Sequence, residues 1–157
     1  MIEVRNLNKS FGNFKSLDNL SLNVKKGSVY GLVGPNGAGK TTFIKNLMGI
    51  YRPDSGSMTV DGEEVYENPA LKQKIIYISD DLFFFTTYSI LDTAKLYADI
   101  YKDWDWETFN KLKEIFKIDV KRKCCRLSKG MQKQVAFWLG ICTKPDLMVL
   151  DEPMDGL

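Results

Sequence analysis

Gly34-Pro35-Asn36-Gly37-Ala38-Gly39-Lys40-Thr41 decides how this chain is read. The order Gly-x-x-x-x-Gly-Lys-Thr is the phosphate-binding loop pattern, and its physics explains each residue type. Glycines let the backbone curl so that its N–H groups converge on phosphate oxygens, and the helix that follows adds positive potential at its N-terminus. Lys40 can reach the β- and γ-phosphates, and the Thr41 hydroxyl can ligate Mg²⁺. A glycine-rich turn without a ligand would share this composition, but nothing would require a strand before it and a helix after it. Here Ser28-Val29-Tyr30-Gly31-Leu32-Val33 reads as a short buried parallel strand. Downstream, Phe43, Ile44, Leu47 and Met48 fall on one helical face. The loop is therefore read as a nucleotide phosphate site built by Gly34, Pro35, Asn36, Gly37, Ala38, Gly39, Lys40, Thr41 and Thr42.

Working outward, Gly49 and Arg52-Pro53 end that helix. Pro53-Asp54-Ser55-Gly56 reads as a turn, and Asp61-Gly62 as a hairpin joining Met58-Thr59-Val60 to Val65-Tyr66. Ile75-Ile76-Tyr77-Ile78 is another short buried strand. From about Ser89 the period becomes helical. Ser89 with Asp92 makes a capping box, and Ile90, Leu91, Ala94, Tyr97, Ala98 and Tyr101 share a face. Asp105 can cap a second helix carrying Phe109, Leu112, Ile115 and Phe116. A third carries Met131, Val135, Leu139 and Cys142 and stops before Pro145. Strand returns at Leu147-Met148-Val149-Leu150. The expected division is an α/β core over 1–86 and 144–157, with a helical insert over 87–143.

Composition narrows the function classes. A chain of 157 residues, 44% apolar, 27% charged and 12% aromatic, has the make-up of one soluble globular domain or a piece of one. Folding at this length buries roughly 70% of the unfolded surface, enough for a sizeable core. Twenty-two Lys and Arg against 20 Asp and Glu leave a net charge of +2, which gives no reason to expect nucleic acid. There is no histidine, which excludes common zinc sites and any His-based triad within this sequence. Cys124, Cys125 and Cys142 lack metal-ligand spacing. Met1-Ile2-Glu3-Val4-Arg5 lacks the layout of a signal peptide, and no apolar run approaches the ~18 residues of a membrane helix. The chain itself is expected to be cytosolic.

Two further stretches carry chemistry. Asp151 follows the apolar run Leu147 to Leu150, so it sits at the carboxyl end of a buried strand, the edge at which open α/β sheets bind ligands. A carboxylate there is costly unless it faces a cation, and the phosphate loop implies one, which makes Asp151 a second Mg²⁺ anchor. Glu152 points elsewhere and can orient or polarise an attacking water. In Leu127-Ser128-Lys129-Gly130-Met131-Gln132, Ser128 can cap the following helix, whose N-terminus could also bind phosphate. Capping alone would account for that stretch.

These three stretches, in this order with a helical insert between them, resemble the ATP-binding domain of ABC transporters. Gly34 to Thr41 matches the Walker A motif, Leu147 to Glu152 looks like Walker B with its catalytic glutamate, and Leu127 to Gln132 looks like the signature motif, with Lys129 where the family usually has Gly. The likeness runs from Met1 to Leu157 and leans towards bacterial exporters. It implies an α/β fold with a P-loop NTPase (RecA-like) core and an ABC-type helical subdomain, binding ATP and Mg²⁺. It also implies catalytic roles for Lys40 and Glu152, and contacts from Ser128, Gly130 and Gln132 to nucleotide held by a second such domain. The family stacks adenine on an aromatic residue at the place of Phe11; a core phenylalanine beside the turn glycine Gly12 is the plainer account. Where the family has its Q-loop glutamine, Asp80 stands. A carboxylate can still ligate Mg²⁺, giving Thr41, Asp80 and Asp151 as the metal set, but it cannot donate hydrogen bonds as an amide does.

The family's D-loop aspartate would follow Asp155-Gly156-Leu157 and its switch histidine lies further on, so the chain is expected to be the N-terminal portion of a longer ATPase, C-terminally truncated. The implied function is coupling of ATP binding and hydrolysis to transport by a separate membrane permease. That partner would hold the protein at the inner face of the cell membrane. A soluble ABC-type ATPase of translation or DNA repair, and a fragment that binds nucleotide without turnover, are the alternatives. A GTPase is excluded because Asn110-Lys111-Leu112-Lys113 ends in lysine where guanine readout needs aspartate. The basic stretch Lys111 to Arg126 reads as a solvated face. Phe83-Phe84-Phe85 suits either a partner surface or core packing. If a strand is missing from mid-sheet, Tyr30 to Val33 and Leu147 to Leu150 should run parallel without pairing, at about twice the ~4.8 Å strand spacing.

Overall fold

The computed structural model describes residues 1–152. Asp155-Gly156-Leu157, and with them the end of the expected 144–157 segment, lie outside the described residues. The chain forms two compact units, Met1–Lys72 and Gln73–Leu157.

The first unit is built on an antiparallel sheet in the order β2-β1-β3-β4, from β1 (Ile2–Phe11), β2 (Phe14–Val24), β3 (Ser55–Val60) and β4 (Glu63–Glu64). Ile2 and Val4 alternate onto the buried face, as a half-buried strand requires. The register then shifts between Val4 and Leu7, where Asn6 adopts φ 50°. That bulge puts Leu7 back on the buried face, and an asparagine tolerates the left-handed conformation it needs. The hairpin at Asp61-Gly62 has φ of 50° and 85°, the two positive values of a type I′ turn. Its second strand is Glu63–Glu64 rather than the expected Val65-Tyr66, because a two-residue loop sets Val60 against Glu63 at once. The long β1–β2 hairpin went unread in the sequence; its bulges break the alternation that would have marked it.

Helix α1 (Lys40–Leu47) follows the phosphate loop and buries Phe43, Ile44 and Leu47, as expected. A short helix, α2 (Pro69–Lys72), closes the unit. The expected strand at Ser28 to Val33 does not form: the segment belongs to neither sheet, and Val29 and Val33 are exposed. A strand exists only through a ladder, and among the described residues no neighbour pairs with this segment, although its composition suits a buried strand.

In the second unit β5 (Ile75–Ile78) pairs in parallel with β6 (Leu147–Leu150), Ile75 opposite Leu147 through Ile78 opposite Leu150. Between them run α3 (Ile90–Ile100), α4 (Trp106–Phe116), a 3-10 turn (Cys124–Arg126) and α5 (Lys129–Cys142). The caps read from sequence are in place. Ser89 and Asp92 form the reciprocal capping box of α3, and the Asp105 carboxylate accepts from the N–H groups of Glu107 and Thr108 at the start of α4. The Lys144 ammonium 2.8 Å away, with the Thr108 backbone and hydroxyl, holds Asp105 well below the usual carboxylate range. Strands β5 and β6 and the helices belong to this second compact unit, in which α5 lies on the strands. A Cβ added to Gly140 would sit 3.4 Å from Ile76 Cγ1 and 3.6 Å from Met148 Cε.

Trp138 fills the centre of this unit. It is fully buried, stacks on Phe109 with centroids 4.6 Å apart, and donates its Nε1–H to the Phe109 carbonyl at 3.0 Å. Trp138→Ala should cost about 3–5 kcal/mol in denaturant unfolding, the usual loss for a large aromatic truncated in a packed core; a loss below 1 kcal/mol would place the core elsewhere.

Candidate functional site

The phosphate loop is shaped by two glycines at positive φ, Gly37 at 83° and Gly39 at 89°. At Gly39 there is also no room for a side chain, since a Cβ would meet the Ser16 carbonyl oxygen at 2.6 Å. The backbone of β2 thus presses against the last turn of the loop. Behind it, Ser16 Oγ donates to Thr42 Oγ1 at 2.8 Å, tying α1 to the same strand. Ala38 N–H donates to the Pro35 carbonyl at 3.1 Å, folding the loop on itself. The Lys40 ammonium folds back on the loop, donating to the carbonyls of Gly34 at 2.7 Å and Pro35 at 3.0 Å. Gly34, Pro35, Asn36, Gly37, Ala38, Gly39, Lys40, Thr41 and Thr42 are thus gathered in one turn at the head of α1. Thr41 is exposed and, among the described residues, its hydroxyl makes no hydrogen bond. Phe11 ends β1, 44% exposed, with its ring edge-on to Tyr51 at 5.3 Å. It is not the core phenylalanine that the plainer account required.

In the second unit the strand ends gather the acidic residues. Asp151 N–H donates to the Ile78 carbonyl at 3.0 Å, extending the β5–β6 ladder one step. Its carboxylate accepts the Tyr77 hydroxyl at 3.3 Å. Burial first, then the Asp151 charge, pushes Tyr77 up to about 12, so the phenol remains a donor to that carboxylate. Glu152 turns the chain at φ 46°. Asp80, at the end of β5, is engaged by Lys133, whose Nζ lies 3.1 Å from Asp80 Oδ1 and also donates to the Glu152 carbonyl at 3.0 Å. Sequence reading missed Lys133 and Tyr77. The available signal for Lys133 was a lysine one turn before Trp138 on a helix otherwise read as core.

Ser128 caps α5, its Oγ accepting from Met131 N–H at 3.3 Å. The Gln132 amide donates to the carbonyls of Cys124 and Leu127, fastening the 3-10 turn to the helix start. Gly130 lies in the first turn of α5.

A glycine-rich loop at the head of a helix in the first unit, and an acidic pair following a parallel strand in the second, are features of an ATP-binding cassette. The ABC transporter family profile matches residues 17–155, and the chain belongs to that family. It is similar to the ABC transporter ATP-binding protein YtrB of Bacillus subtilis (strain 168), 36% identical over all of this chain and 54% of that protein. The zinc import ATP-binding protein ZnuC of Rickettsia prowazekii (strain Madrid E) is also 36% identical, over all of this chain and 64% of its own length. A solved ATP-binding subunit of an ABC transporter shares the fold, with a TM-score of 0.91 at 24% identity over all of this chain and 68% of that one. The chain spans little more than half the length of YtrB.

Gly39→Ala should distort the loop twice over, through the positive φ and through the clash with the Ser16 carbonyl. The expected outcome is loss of ATP binding in calorimetry by at least about tenfold, whereas Gly62→Ala in the β3–β4 turn, also at positive φ but with open space around its Cβ, should leave ATP affinity unchanged.

Proposed function

We propose that this chain is the ATP-binding part of an ABC transporter subunit, which binds Mg²⁺-ATP and, paired with a second ATP-binding domain, hydrolyses it to drive a separate membrane permease. The observation that carries the reading is the Lys40 ammonium set on the Gly34 and Pro35 carbonyls of the glycine-rich loop at the head of α1. A triphosphate entering the loop would draw that ammonium from neutral carbonyls to charged β- and γ-oxygens, a stronger partner. Phe11 would stack on the base.

The residues present suit Mg²⁺. Thr41 offers an exposed hydroxyl with no hydrogen bond among the described residues, and Asp151 a carboxylate with a single 3.3 Å donor. Each is, within its own unit, an oxygen donor of the kind that ligates Mg²⁺. Asp80 would instead serve as the counter-ion of Lys133. Glu152 orients the attacking water. Ser128, Gly130 and the head of α5 would meet the γ-phosphate held by the partner domain, Gln132 keeping that head in shape. Lys40 and these donors act on charge spread over the transferring phosphoryl group. No helix of the described residues is long and apolar enough to cross a membrane; in this reading the permease holds the protein at the inner face of the membrane.

In the full-length protein, Lys40→Ala should abolish ATP binding at physiological concentrations. Glu152→Gln should bind ATP normally, stop turnover and accumulate an ATP-bound dimer on size exclusion. Turnover by Glu152→Gln at the parent rate would remove Glu152 from the water-orienting role.

Phe11→Ala should weaken ATP by about 1–3 kcal/mol, the scale of base–aromatic stacking, and leave inorganic triphosphate unaffected. Equal losses for both ligands would show that the ring serves packing against Tyr51 rather than the base.

A further inference from the structure

Lys133 is 6% exposed, and a lysine is almost never buried to that degree without a partner. It sits a turn into α5, and its ammonium reaches two different strand ends. One bond goes to Asp80 Oδ1, 3.1 Å away in the segment that leaves β5; another goes to the main-chain carbonyl of Glu152, 3.0 Å away just past β6. The second acceptor matters more. Glu152 holds φ 46°, a conformation that side chains other than Gly, Asn and Asp adopt at a cost and that persists only where the surroundings fix it. Asp151 N–H, bonded to the Ile78 carbonyl, fixes the residue before. The Lys133 bond fixes the carbonyl after.

We infer that Lys133 is a positioning residue for hydrolysis: its ammonium pins the Glu152 backbone in the turn that aims the Glu152 side chain, and couples that turn to the Asp80 segment. The inference rests on the proposed role of Glu152. The ion pair with Asp80 neutralises the buried ammonium, while the carbonyl bond sets the geometry. A purely structural ion pair would behave differently, since replacing both of its charges with uncharged groups of similar size is often neutral.

The test uses the full-length protein with Lys133→Met, Lys133→Arg and the double variant Asp80→Asn/Lys133→Met. Lys133→Met should lower kcat by about tenfold or more with KM within about twofold, the pattern of a group that acts on the reacting state and not on binding. Lys133→Arg, which keeps charge and donors, should recover most of that loss. The double variant should regain the parent melting temperature and keep the low kcat, and it serves as the test if Lys133→Met alone does not fold. Recovery of kcat together with melting temperature in the double variant would overturn the inference, as would a fall in kcat matched by a rise in KM.

Hydrogen exchange separates failure of this inference from failure of the proposed function. If the parent full-length protein turns over no ATP, the proposed function falls. The clamp is still read by faster exchange in Lys133→Met at both 79–81 and 151–152, with 34–41 unchanged. Unchanged exchange at the two strand ends would dispose of it.

Discussion

The contact between Gly39 and the Ser16 carbonyl is the constraint on which the phosphate loop depends. A Cβ there would stand 2.6 Å from that oxygen, so the loop can close only over a residue that has none. The same β2 residue then fastens α1 through its hydroxyl and Thr42. Position and shape of the loop are thus set by the antiparallel sheet of its own unit. The expected parallel strand at Ser28 to Val33 contributes no ladder to it.

The second unit solves a different problem by similar means. Helix α5 must present a capped N-terminus at one end and carry its middle across β5 and β6. Gly140 permits the close seat on Ile76 and Met148, and Trp138 locks the opposite face into the helical core. With the helix fixed, Lys133 arrives at the strand ends beside Asp80 and Glu152, so that the acidic residues meet a cation supplied from the helix.

Much of this was legible in the sequence where local rules are strong. The glycine spacing gave the loop, and Ser89 with Asp92, Asp105 and Ser128 gave helix starts that the hydrogen bonds bear out. Illegible were features decided at long range. The β1–β2 hairpin hides its period behind bulges, and Ser28 to Val33 has a strand's composition without a strand's partner among the described residues. Lys133 reads as an interruption of an apolar face until the strand ends are brought to it. The grouping of β5 and β6 with the helices follows from packing against Gly140, which no periodicity announces.

The tryptophans of the chain, three in number, are Trp104, Trp106 and Trp138. All of them lie in the second unit, joined through Phe109 into a chain of ring contacts. The unit that carries the phosphate loop has none. Tryptophan emission from this chain is therefore an optical label placed by nature on one unit alone. An emission change on adding nucleotide would record what reaches the helices, and a silent spectrum would be compatible with a filled loop.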